Sequence, residues 1–118
     1  MRQLVIDSSV DAVIRRHGEQ TYPHECCGAL IGRGDRVDAA VELPNTTEEG
    51  PRRRFLVSDR DYKLSEQRAS ELGGELVGFY HSHPDHPNLP SDFDREWAQP
   101  HFSYLITSVD SGLSLIHI

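Results

Sequence analysis

The 118-residue sequence is poor in cysteine, in positive charge and in long apolar runs. Its two cysteines, Cys26 and Cys27, are sequence neighbours. A bond between them is geometrically poor and a disulfide framework is impossible, so a reducing compartment fits. The opening stretch MRQLVIDSSVDAVIRR interrupts its apolar residues every few positions. It therefore lacks the apolar core of a secretory signal, and no later segment approaches membrane-spanning length. Twelve Lys and Arg against 19 Asp and Glu leave a formal charge of −7, which offers no footprint for a phosphate backbone or an anionic lipid surface. Internal repeats and low-complexity tracts are absent as well. The expectation is a soluble cytoplasmic protein with neither nucleic acid nor membrane as a partner.

With 36% hydrophobic residues, a chain of this length suits one compact domain, residues 1–118. Val10, Val13, Ile14 and His17 recur at helical spacing after Ser8, with Asp11 three residues on and Gly18 as a stop. The run CCGALIG predicts a buried strand, residues 32–35 a turn, and RVDAAVEL a second strand turning Val37, Ala39, Val41 and Leu43 inward, the two forming a hairpin. PNTTEEGPRRR, residues 44–54, has no periodicity and is expected to be an exposed loop able to cover a substrate. Ser58 with Asp61 predicts another helix, carrying Tyr62, Leu64, Ala69 and Leu72 and ending at Gly73-Gly74. ELVGFYHSH then predicts a strand, Ser91 a further helix start, and FSYLITSV a last strand. This interleaving gives an α/β domain with a single mixed sheet sandwiched by helices.

Chemistry concentrates in GFYHSHPDHPNLPSDFD, residues 78–94. Side chains two apart on a strand share a face, so His81 and His83 point the same way, with Val77 and Phe79. They can hold one metal ion, although two surface histidines are the plainer reading. Pro84 removes a backbone donor and leaves both imidazoles at a strand end, where sheets open onto clefts. Ser91 and Asp94 have the spacing of a helix N-terminal cap. They also fit a site in which Asp94 is an anionic third ligand and Ser91 lies beside the metal. Two histidines and one aspartate leave a fourth tetrahedral position open, as in catalytic zinc sites. Asp92 competes with Asp94 as ligand; Asp85 and His86 read as loop residues and Trp97 as core. Cys27 shares parity with Glu25, while Cys26 alternates away into packing.

His81-Ser82-His83-Pro84, six residues, Ser91, two residues and Asp94 is similar to the JAMM (MPN-plus, JAB1/MPN/Mov34) metallopeptidase motif. That family also carries an upstream glutamate shortly before a glycine-containing apolar run, and Glu25 in YPHECCGALIG stands in that setting. The spacing selects Asp94 over Asp92. The resemblance, from about Val10 to Val109, implies a cytidine-deaminase-like fold and a Zn2+ held by His81, His83 and Asp94. It further implies Glu25 as general base and Ser91 as donor to the oxyanion. The implied substrate is a ubiquitin-like or sulfur-carrier protein with a glycine-ended C-terminal tail, cleaved after the glycine. Short members of bacterial type imply release of cysteine from such a carrier in cysteine biosynthesis. Two rivals remain. A zinc deaminase uses His-X-Glu with a later Pro-Cys-X-X-Cys, which this chain lacks. A non-catalytic scaffold or interaction module of the same fold would have lost ligands, yet every motif position is filled. The family continues past its last strand, whereas this chain closes on SGLSLIHI, which resembles translated sequencing-adapter readthrough. From about residue 113 the end is expected to be truncated or artefactual.

Overall fold

The computed structural model describes residues 5–45, 58–84, 103–110 and 113–117. Its elements run β1 (Val5–Ile6), α1 (Ser8–Thr21), β2 (Cys27–Arg33), β3 (Arg36–Leu43), α2 (Asp59–Glu71), β4 (Glu75–Pro84), β5 (Ser103–Asp110) and β6 (Leu113–His117). Among the described residues the strands form one mixed sheet in the order β1-β3-β2-β4-β5-β6. β2 pairs antiparallel with β3 and β4, and β4 pairs parallel with β5. The predicted hairpin is present, and RVDAAVEL coincides with β3. Leu113–His117, set aside in the sequence reading, pairs antiparallel with β5.

The two helices lie on opposite faces of the sheet. Val10 and Ile14 of α1 pack with Cys26, Leu30, Val37, Val77, Tyr80 and Leu105. Tyr62 of α2 packs on the other face with Cys27, Ala29, Leu43 and Phe79. The sandwich expected from the interleaved elements is therefore formed. No helix among the described residues is long and apolar enough to cross a membrane.

The start of α1 differs from expectation. Asp7 is the N-cap and accepts from the Ser9 amide at 2.9 Å, so the acceptor lies one residue before Ser8. Gly18 does not stop the helix. It is buried on the inner face, and α1 ends only when the Tyr22 amide donates to the Gly18 carbonyl. α2 begins as expected, with Ser58 as N-cap accepting from the Asp61 amide, and its chain turns at Gly73, whose φ is +72°. Leu64 and Leu72 stand exposed, while Ser65 and Ala69 face the sheet.

Two irregularities alter the simple alternation of faces. Ile31 pairs with Ala39 but Gly32 with Val37, so Asp38 is an extra residue. Val37 thus packs on the α1 side, while Val41 and Leu43 pack on the α2 side. The four inward residues predicted for β3 do not share a face. On β4, Gly78 pairs with Leu30 and Leu76 with Ile31, leaving Val77 extra. Val77 consequently joins the α1-side core instead of sharing a face with Phe79.

Candidate metal centre

Beyond the β4 irregularity the period of two is restored, and it carries Phe79, His81 and His83 onto the α2 face. Tyr80 is directed to the α1 side, where its hydroxyl and His17 Nδ1 are 2.7 Å apart. Gly28 lies opposite Tyr80 in the register, and a Cβ there would collide with the ring. Glycine at this position lets the phenol lie flat across β2 and keeps β4 close beside it. Cys27 then pairs with His81 as the last rung of the β2–β4 ladder. His83 stands two residues beyond it, still paired with β5 through Ser108. Both imidazoles are thus held at the carboxyl end of two parallel strands, where open sheets form their binding crevices.

His81 is 1% and His83 6% exposed, and Glu25 is 2% exposed. His81 Nε2 and His83 Nε2 lie 3.1 Å apart with ring planes tilted at 56°. Two nitrogens ~2.05 Å from one zinc ion at the tetrahedral angle would be separated by about 3.3 Å. The observed spacing is close to that edge, so the pair has the geometry of ligands converging on one point. Glu25 completes a buried group in which one donor atom from each residue lies within 4.8 Å of the others. Two buried imidazoles are donors suited to zinc, and the Glu25 carboxylate stands close beside them. Ser91 and Asp94 lie outside the described residues, as do Asp85, His86, Asp92, Trp97 and residues 46–54 of the expected covering loop.

Glu25 sits just before β2, and its placement depends on neighbours that sequence reasoning did not single out. Its carbonyl accepts from Asn45 Nδ2 at 3.1 Å, and the next amide, of Cys26, donates to Ser82 Oγ at 2.8 Å. The parity of Ser82, opposite to that of the histidines, was a sequence signal that its hydroxyl had a different task. Nothing in the sequence marks Asn45.

Cys27 is fully buried on the histidine side, but its thiol donates toward the carbonyls of Leu43 and Pro44, at 3.8 and 3.5 Å. Burial, then Cys26, Asp61 and Glu25, push the thiol up to about 12. A thiol that stays protonated at neutral pH is a poor nucleophile and a poor ligand. Cys26 is likewise pushed up to about 11, chiefly by burial in the α1-side core.

Residues 7–115 match the family model described as prokaryotic homologues of the JAB domain. A desampylase from Haloferax volcanii is 37% identical over 95 residues, covering 78% of this chain and 68% of the relative. Tail tip assembly protein K of Escherichia phage N15 is 36% identical over 95 residues, 80% of this chain but 34% of that protein. A probable TtuB-protein conjugate cleaving protease from Thermus thermophilus is 30% identical over 96 residues, 81% of this chain and 64% of its own length. The chain thus spans only part of each relative. Among solved structures, a Desulfitobacterium hafniense protein superposes with a TM-score of 0.79 at 26% identity, covering 98% of this chain and 90% of that one. A JAB1/MPN domain protein from Archaeoglobus fulgidus shares the fold, with a TM-score of 0.61 at 20% identity over 90% of this chain and 77% of its own. The match over nearly the whole length, on a sheet that brings Glu25, His81 and His83 together, shows that this chain belongs to the prokaryotic JAB domain family.

Proposed function

We propose that this protein is a zinc-dependent peptidase or isopeptidase that hydrolyses the bond after the C-terminal glycine of a ubiquitin-like or sulfur-carrier protein. The observation that carries this reading is the buried convergence of the two Nε2 atoms at 3.1 Å beside the Glu25 carboxylate. The names of two relatives, a desampylase and a probable TtuB-protein conjugate cleaving protease, support a ubiquitin-like substrate. His81, His83 and Asp94 would hold the metal. Bound there, zinc supplies Lewis acidity and makes hydroxide available near pH 7.

The chain's own residues do the rest. Glu25, buried beside the imidazoles, takes the proton from the attacking water and returns it to the leaving amine, a role for a carboxylate near the metal but not bound to it. Ser91 donates to the oxygen that gains charge as the carbonyl is attacked. The flexible tail of a carrier, rich in small glycine, can lie as an added strand along a sheet edge. The cytoplasm is the compartment that two unpaired buried cysteines suit. Release of cysteine from a carrier is the finer form of the reading.

The test is turnover of a β-grasp carrier bearing a cysteine or a lysine-linked partner after its terminal glycine, with and without chelator. Cleavage at that glycine, abolished by chelator and restored by zinc, is expected. Equal turnover of unstructured chains, with no preference for glycine, would make the protein a general peptidase. The phage tail tip relative favours a second reading, a module used in assembly. That reading predicts no turnover at any zinc loading.

A further inference from the structure

Glu25 and Cys26 precede β2, so the regular ladder does not hold them. Their shared peptide group is nevertheless bonded at both ends. The carbonyl of Glu25 accepts from Asn45 Nδ2 at 3.1 Å, and the amide of Cys26 donates to Ser82 Oγ at 2.8 Å. The Ser82 amide in turn donates to the Cys26 carbonyl at 3.1 Å. A peptide group is a rigid plane. The Glu25 Cα lies in that plane, so holding the oxygen and the nitrogen places the atom from which the glutamate side chain departs.

Ser82 is fully buried between the two histidines in sequence, yet its side chain has the opposite parity. One three-residue stretch of β4 therefore presents both imidazoles on one face and grips the glutamate's peptide with the residue between them. Asn45, half-buried just past the end of β3, closes the arrangement from the other side. The carboxylate and the imidazoles are referenced to the same short segment of backbone.

We propose that Ser82 and Asn45 are positioning residues that clamp the Glu25–Cys26 peptide group and so hold the Glu25 carboxylate at its working distance from His81 and His83. The proposal rests on the reading of Glu25 as general base. A displacement of ~1 Å in such a group can lower turnover ~10²-fold without touching substrate binding.

The test uses the full zinc-loaded chain and the variants Ser82→Ala, Ser82→Thr and Asn45→Ala. Nuclear magnetic resonance reads the exchange rate of the Cys26 amide and the Glu25 χ1 couplings, which need no substrate. Zinc content, melting temperature, kcat and KM are measured alongside. In Ser82→Ala the Cys26 amide should exchange at least ~10-fold faster, Glu25 should average over rotamers, and zinc content should hold. The kcat should fall ~10- to 100-fold with KM changed less than about twofold, and Ser82→Thr should restore both readouts. Asn45→Ala should loosen Glu25 in the same way, which keeps the test intact if Ser82→Ala does not fold. A single Glu25 rotamer and parental kcat in both alanine variants would overturn the proposal, as would a kcat loss that follows zinc loss. An inactive parent with a loosened Glu25 in the variants would instead overturn the peptidase reading and leave the clamp standing.

Discussion

Gly28→Ala adds a methyl group for which the centre of the sheet has no room. Gly28 faces Tyr80 across the β2–β4 ladder, and a Cβ there would fall within the van der Waals shell of Tyr80 Cε1, Cζ and Oη. The ring has no room to retreat, since it is fully buried beneath α1 and its hydroxyl is bonded to His17 at 2.7 Å. Overpacking of this kind costs ~1–3 kcal/mol. Separating the buried phenol from His17 adds ~1–3 kcal/mol, so a total of about 2–6 kcal/mol is expected. For a domain of this size ~1 kcal/mol corresponds to ~4 °C, which places the fall in Tm at ~8–24 °C. Thermal and urea denaturation followed by circular dichroism would measure it. In a Tyr80→Leu background the collision disappears, and the same substitution should cost less than ~1 kcal/mol. A Gly28→Ala protein as stable as the parent would refute the reasoning. The register places His81 one rung from this contact, so partial loss of bound metal should accompany the loss of stability.

Glu25→Gln keeps shape and hydrogen-bonding reach, so zinc content and melting temperature should stay near parental while turnover falls ~10² to 10⁴-fold. Loss of metal in that variant would make Glu25 a ligand. Ser91→Ala should retain zinc and lower kcat ~10² to 10³-fold if the hydroxyl serves the oxyanion. A loss of ~1 kcal/mol in stability with turnover spared would mark it as a helix cap instead. His17 is held below its usual 6.5 by burial, an effect partly offset by Glu42. Its unfolded form gains a proton near pH 6.5 and its folded form only lower down, so stability should be full above pH 6.5 and fall as pH drops toward the folded value. Urea titrations from pH 7.5 to 5 should show that decline, and His17→Gln should flatten it.

The elements most legible in the sequence were those whose local signals agree. β3 follows a turn and begins where apolar alternation begins; α2 has Ser58 to start it and Gly73 to end it. Adjacent polar residues blurred the start of α1, where Asp7 and Ser8 are equally good caps, and Gly18 misled because it serves packing inside the helix. The two extra residues, Asp38 and Val77, were not legible, since the rule of alternation cannot foresee where a strand gains a residue. At the site, parity alone put His81 and His83 on one face, while two surface histidines remained the plainer reading. Glu25 carries no such mark; by itself it reads as a charge at a strand edge, and only the family resemblance singled it out. Asn45 and Ser82 bond to backbone groups 20 and 56 residues away in sequence; parity sets Ser82 apart from the histidines, but no local pattern names either partner.

The most direct test of the account is metal analysis of the purified chain beside its His83→Ala variant. One zinc per chain in the parent is expected, with most of it lost in the variant, because His83 Nε2 is one of the two nitrogens that meet at 3.1 Å. Full zinc occupancy in His83→Ala, or a parent that takes up no zinc after removal and return of the metal, would contradict it.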